Sequence, residues 1–166
     1  MESMEEFRIP KEAIERLKDP EVLRGHLSEG KTFQELLGYT NGTMEKFYSG
    51  AHLLYEQGMY QEAADAFVFL TTLNPYVHNF WLGLGLAEQH NEEYEAALVA
   101  YGMATMSDMD NPLPHYHSSR CHYLMGDYDT AVSMLDLAIN LCFDDEKHST
   151  VKSDAISAKL HIEKML

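Results

Sequence analysis

The chain has 166 residues, a formal charge of −15 and 45% hydrophobic side chains. A chain of this length suits one domain that buries about 70% of its unfolded surface, so neither of its two cysteines is needed as a staple. No Lys or Arg occurs between Lys46 and Arg120, and every charge from Glu56 to Asp110 is acidic; nucleic-acid binding, which sets cations against phosphates, is excluded as a partner class.

Residues 1–43 read as an N-terminal arm. The stretch "IPKEAIERLKDPEVLRGHLSEGKTFQELLGYTNG" predicts short helices, cut at Asp19-Pro20 and at Gly30. Ile14, Leu17, Leu23, Leu27, Phe33 and Leu36 are too many apolar residues for a disordered tail. Half of the chain's cations sit in this arm, opposite in sign to the acidic remainder of the chain. The arm is expected to pack on the rest of its own chain or on a second copy as a homodimer. No apolar run approaches the length of a membrane span, and no secretory apolar segment precedes the cysteines, so a cytoplasmic location is expected.

Internal repetition dominates the remainder. In "GMYQEAADAF", "EEYEAALVAY" and "GDYDTAVSML", Tyr60, Tyr94 and Tyr128 recur at a constant step of 34. Ala63, Ala97 and Ala131 keep that step, as do Phe67, Tyr101 and Leu135, then Leu70, Ala104 and Ala138. This is the period of the tetratricopeptide repeat, one helix–turn–helix per copy. Repeats are assigned to 44–77, 78–111 and 112–145, with a closing helix at 146–166. First (A) helices are predicted at 44–57, 78–91 and 112–125, and second (B) helices at 60–73, 94–107 and 128–141. Gly58, Gly126, Asn74-Pro75 and Asn111-Pro112 supply the turns. The fold class is therefore all-α, a tetratricopeptide-repeat solenoid with an N-terminal helical arm and a C-terminal capping helix. In that last helix Val151, Ala155, Ala158, Ile162 and Met165 share one face, and Ser149 or Thr150 is the expected cap.

Two glycines inside a predicted helix, Gly83 and Gly85, need a reason, since each costs about 1 kcal/mol relative to alanine. One step of 34 in either direction from Gly85 lies Ala51 or Ser119. A small residue at all three sites predicts close approach of a neighbouring helix. A nucleotide-binding loop would need a preceding strand, which is absent from the pattern.

Helix A of the first copy should pack on helix B through Phe47, Gly50, Ala51 and Leu54. Its opposite stripe, on the inner curve, steps by three, four and three residues. That stripe is Glu45, Tyr48, His52 and Tyr55; then Asn79, Leu82, Leu86 and Gln89; then Leu113, Tyr116, Arg120 and Tyr123. A face meeting only water would be polar. This one is aromatic and apolar, which predicts a concave peptide-binding groove.

The segments "EKFYSGAHLLYEQGMYQEAADAF", "FWLGLGLAEQ" and "YGMATMSDMDNPLPHYHSSRCHYLMGDYDTA" resemble the class II chaperones of type III secretion, the SycD/LcrH/IpgC group, over residues 30–142. The F-x-L-G-L-G run and the Pro112-x-Pro114 pair are more specific than a generic repeat. The resemblance implies a chaperone that holds an extended Pro- and Leu-anchored segment of hydrophobic, membrane-inserting translocators in its groove. It implies that Tyr48, Tyr55 and Tyr60 line the first repeat, and Leu82, Leu86 and Gln89 the second. His52 stands where the group often has an aromatic residue.

Other constellations are weaker. His115, His117 and His122 lack the further ligands of a tetrahedral metal site, so no metal or other cofactor is expected. No nucleophile stands with a base, so no enzyme is expected. An adaptor that clamps an acidic tail needs cations along the inner helices, and the first two repeats have none there. The remaining alternative is an adaptor or structural subunit of the export platform that binds other protein partners.

Overall fold

The computed structural model describes residues 8–142 and 146–166. The first seven residues of the expected arm and residues 143–145 of the third repeat lie outside the described residues. The chain divides into two compact units, one ending at Tyr76 and one beginning at Val77. The described residues form helices and no strand.

The first unit holds α1 (Lys11–Lys18), α2 (Pro20–Ser28), α3 (Phe33–Leu37), α4 (Asn41–Glu56) and α5 (Tyr60–Leu73). Its boundaries follow from side-chain chemistry. Asp19 caps α2 by accepting from the Glu21 and Val22 amides at 3.0 and 3.4 Å, with Pro20 at the first helical position. Thr32 and Glu35 form a capping box at the start of α3, and Gly38 ends it at φ 73°. Thr40 accepts from the Thr43 amide at 3.1 Å and starts α4 three residues earlier than the repeat spacing predicts. Gln34 ties α3 to the end of α5: it accepts from Asn74 Nδ2 at 2.8 Å and donates to Asn41 Oδ1 at 3.0 Å.

Ala51, Ala63, Phe67 and Leu70 are buried between α4 and α5, so the small and bulky repeat positions meet as the period requires. Gly50 does not join them; it is exposed, with open space where a Cβ would stand. Of the six apolar arm residues, Leu36 is buried, Leu17, Leu23 and Phe33 are half-buried, and Ile14 and Leu27 are exposed; α2 buries no residue.

The second unit holds α6 (His78–His90), α7 (Tyr94–Ser107), α8 (Leu113–Leu124), α9 (Tyr128–Leu141), a 3-10 turn (Glu146–His148) and α10 (Ser149–Glu163). All three B helices, α5, α7 and α9, have the predicted limits. Gly126 turns α8 into α9 at φ 81°, as Gly58 turns α4 into α5 at φ 76°. The equivalent position between α6 and α7 is Glu92, forced to φ 63° without the freedom of glycine. His78 fastens α6 to its surroundings, with Nδ1 2.9 Å from the Ala104 carbonyl and Nε2 3.2 Å from Asn111 Nδ2.

In α10, Ala155 and Ile162 are buried against Ala131 and Leu135 of α9. The Lys159 ammonium pairs with the Asp136 carboxylate and holds the two helices together from their rim. The expected cap is corrected: Ser149 is the first helical residue, His148 is the N-cap, and no side chain caps the helix. Met165 is exposed, off the buried face.

Candidate functional site

In the first unit the stripe of Tyr48, His52 and Tyr55 takes part in two aromatic pairs. Tyr48 is half-buried, edge-on to Phe67 with ring centroids 6.0 Å apart, and lies 6.2 Å from the His52 ring. Burial pushes the Tyr48 phenol above its ordinary pKa. Further along the same helix Tyr55 meets Tyr60 at 5.4 Å, again edge to face, and both are half-buried. His52 is exposed, with Nδ1 3.5 Å from Glu56 Oε1. Helix α4 thus presents Tyr48, His52 and Tyr55 together, with Tyr60 contributed by the start of α5.

This unit also holds a second aromatic series, in which Phe47 meets helix B as expected and Tyr39 as well. Phe47 packs edge-on against Tyr39 at 5.5 Å and against Phe69 at 5.4 Å. Tyr39 precedes the repeat, and no spacing rule connects it to Phe47.

In the second unit Asn79 is exposed, while Leu82 and Leu86 are half-buried against Ala97, Tyr101 and Cys121. Gln89 departs from expectation. It is buried, and its Oε1 accepts from Tyr101 Oη at 2.9 Å and from Cys121 Sγ at 3.5 Å. A buried tyrosine hydroxyl needs an acceptor, and Gln89 supplies one to the helix packing, not to the open stripe.

Tyr116 and Tyr123 on α8 are half-buried against the cluster of Ala131, Leu135, Ala155 and Ile162. Arg120 lies between them on the same stripe and is exposed. Together with Ser119, Leu135 and α10 residues Ala158, His161 and Ile162, these three line a cavity of about 140 Å³. The final helix therefore supplies wall residues as well as packing on α9. Its apolar periodicity is readable in the sequence, but the neighbour that face meets is not.

Of the histidines grouped by the sequence, His117 serves packing. His117 stacks on Tyr101 at 5.7 Å with planes 21° apart. Burial, aided by the charges of Arg120 and His90, depresses its pKa to about 4. His122 Nδ1 stands 3.3 Å from Asp127 Oδ2. Burial raises the Cys121 thiol to about 11, away from nucleophilic reactivity. Among the described residues no group of three or more His, Cys, Asp or Glu is placed to hold a metal ion, and no helix is long and apolar enough to cross a membrane.

The tetratricopeptide repeat family matches residues 44–76. Low calcium response locus protein H of Yersinia pestis is 31% identical over 123 residues, which are 74% of this chain and 73% of that protein. The type III secretion translocator chaperone SycD of Yersinia enterocolitica superposes with a TM-score of 0.76 at 28% identity, covering 78% of this chain and 97% of SycD. SycD in complex with a peptide of the translocator YopD gives 0.73 at 28% identity, covering 76% and 96%.

Proposed function

This chain belongs to the translocator-chaperone family of type III secretion, the family of low calcium response locus protein H and SycD, and from that premise we propose that it keeps hydrophobic translocators soluble and export-competent in the cytoplasm. It does so by holding an extended segment of the client against the inner helices of its repeats. The residues assigned to this contact are Tyr48, His52, Tyr55 and Tyr60 in the first unit, and Asn79, Leu82, Leu86, Tyr116, Arg120 and Tyr123 in the second. Gln89 supports the second set from beneath.

One observation carries this reading. Tyr48 and Tyr55 recur, two repeat steps on, as Tyr116 and Tyr123, and all four remain half-buried after the chain has folded. Their inner halves pack on this chain's own helices, while folding leaves the outer part of each ring uncovered at matched positions of two repeats. A peptide supplies the missing cover, because each ring offers area to bury and a hydroxyl to bond a backbone.

The mechanism needs no catalytic step. A translocator must expose apolar segments to enter a membrane, and those segments aggregate if left free. Binding removes them from the exposed population by mass action, and the acidic surface keeps the complex in solution. The arm, with Ile14, Val22 and Leu27 exposed, supports homodimer formation as a second interaction.

Co-purification from the source cell, followed by mass spectrometry, tests the proposal. The expected result is a membrane-inserting secreted protein, with a Pro- and Leu-containing segment of it rebinding as a synthetic peptide. Recovery only of folded export-platform subunits, with no peptide of theirs binding, overturns it.

A further inference from the structure

The cavity on α8 and α10 combines two chemistries that the general role of an apolar groove does not require. Its walls include Tyr116, Tyr123, Leu135 and Ile162, and its volume is about 140 Å³. An apolar cavity of about 150 Å³ takes up benzene, so this space suits one leucine- or phenyl-sized side chain. Arg120 stands in the same wall.

That arginine is exceptional in this chain. It ends the long interval from Lys46 that contains no cation. Acidic residues outnumber basic ones over the second unit as a whole, though not in its closing segment, yet among the described residues no carboxylate pairs with its guanidinium. The titratable groups around it carry no compensating charge: His90 and His117 are held toward their neutral forms, and Cys121 toward its thiol. An acidic protein has many partners available for an arginine. One with no carboxylate partner among the described residues, beside an apolar hollow, is open to an anion from another chain.

We propose that this cavity is a composite anchor, taking an apolar side chain of the bound segment while Arg120 pairs with a carboxylate next to that side chain in the segment. The preferred client peptide is thus an apolar residue flanked by Asp or Glu, not a purely apolar stretch. A guanidinium grips a carboxylate through two parallel N–H donors, so the pair fixes the register of the segment as well as adding affinity. The proposal rests on the peptide-binding reading above and specifies the client at one end of it.

The probes are 15-residue synthetic peptides tiled across the co-purified cargo, with counterparts in which each Asp or Glu is replaced by Asn or Gln. Binding is read by fluorescence anisotropy at low and high salt. The amide counterpart of the best binder should lose about tenfold in affinity on the wild-type chain and nothing further on Arg120→Gln. Arg120→Lys should recover part of the loss. Ala158→Phe, which fills the cavity, should weaken the same peptide with the fold retained. Equal binding of acid and amide peptides, or unchanged affinity in Arg120→Gln, overturns the proposal. A lower melting temperature with unchanged affinity also overturns it, because Arg120 would then serve a segment of its own chain. If wild-type chain binds no tiled peptide, the peptide-binding reading falls with it; if binding persists and only Arg120 proves indifferent, that reading stands alone.

Discussion

A Cβ atom built on Gly85 would stand 2.6 Å from Cδ1 of Tyr101, and closer still to Cε1, inside any real carbon–carbon contact. The tyrosine is fully buried and hydrogen-bonded, so it cannot swing aside. Gly85→Ala should therefore destabilise the chain by about 2 kcal/mol despite the better helix propensity of alanine. Gly102, also within a helix, has open space around its Cα. Gly102→Ala should instead stabilise by up to about 1 kcal/mol. Urea melts of the two variants check the opposite signs.

The same tyrosine makes Gln89 a test of buried polar pairing. Gln89→Leu leaves the Tyr101 hydroxyl without its acceptor and should cost about 2 kcal/mol. Adding Tyr101→Phe removes the orphaned hydroxyl, so the double variant should regain much of that loss. A double-mutant cycle by chemical denaturation measures the coupling; additive losses would show that the hydrogen bond contributes nothing.

Glu92 gives a third expectation. It occupies a left-handed turn position that Gly58 and Gly126 fill in the other repeats. Glu92→Gly should raise stability by about 0.5–1 kcal/mol, the relief of the Cβ clash less the greater chain entropy of glycine. A differential-scanning melt suffices, and an unchanged or lower melting temperature would contradict the strain.

These cases mark what is legible in the sequence. The B helices can be read because Ala63, Ala97 and Ala131 repeat at one step, and the close packing at Gly85 because Ala51 and Ser119 stand one step to either side of it. Even the strain at Glu92 is available, since Gly58 and Gly126 bracket it at that step. Gln89 is misplaced because helical periodicity assigns a residue to a face but not to an edge: it lies at the margin of the stripe, where a partner on another helix decides its direction. The cavity wall from Ala158 and His161 is hidden for a related reason, as is the Tyr39–Phe47 contact. A period orders residues within repeats and is silent about elements outside them.

From the sequence alone, truncating Tyr48 and Tyr55 to alanine should abolish binding with the fold untouched. The contacts with Phe67 and Tyr60 change the second half of that expectation. The double alanine variant should lose client binding and also about 1–2 kcal/mol of stability, since half-buried rings are removed. Tyr48→Phe with Tyr55→Phe separates the effects: the melting temperature should hold, while loss of the hydroxyls weakens peptide binding several-fold. Retained binding in the alanine variant would place the client elsewhere.

Acid should destabilise the second unit through the burial of His117. His117 is depressed to about 4 by burial, against an ordinary value near 6.5 in the unfolded chain. Between those values the unfolded state binds the proton and the folded state does not. Stability is therefore complete above about pH 7 and falls as pH drops through the unfolded value, by roughly 2 kcal/mol at pH 5. His115 and His90 are depressed in the same direction, also first by burial. Glu35 and Asp127 are lowered by their hydrogen bonds to Thr32 and Thr130, so the stability they contribute is lost as pH falls below their ordinary values, toward the acid end of the range. Melting curves between pH 7.5 and pH 5 should show the decline, and His117→Phe, which keeps a ring against Tyr101 but cannot titrate, should flatten it. An identical slope in that variant would assign the acid sensitivity to other groups.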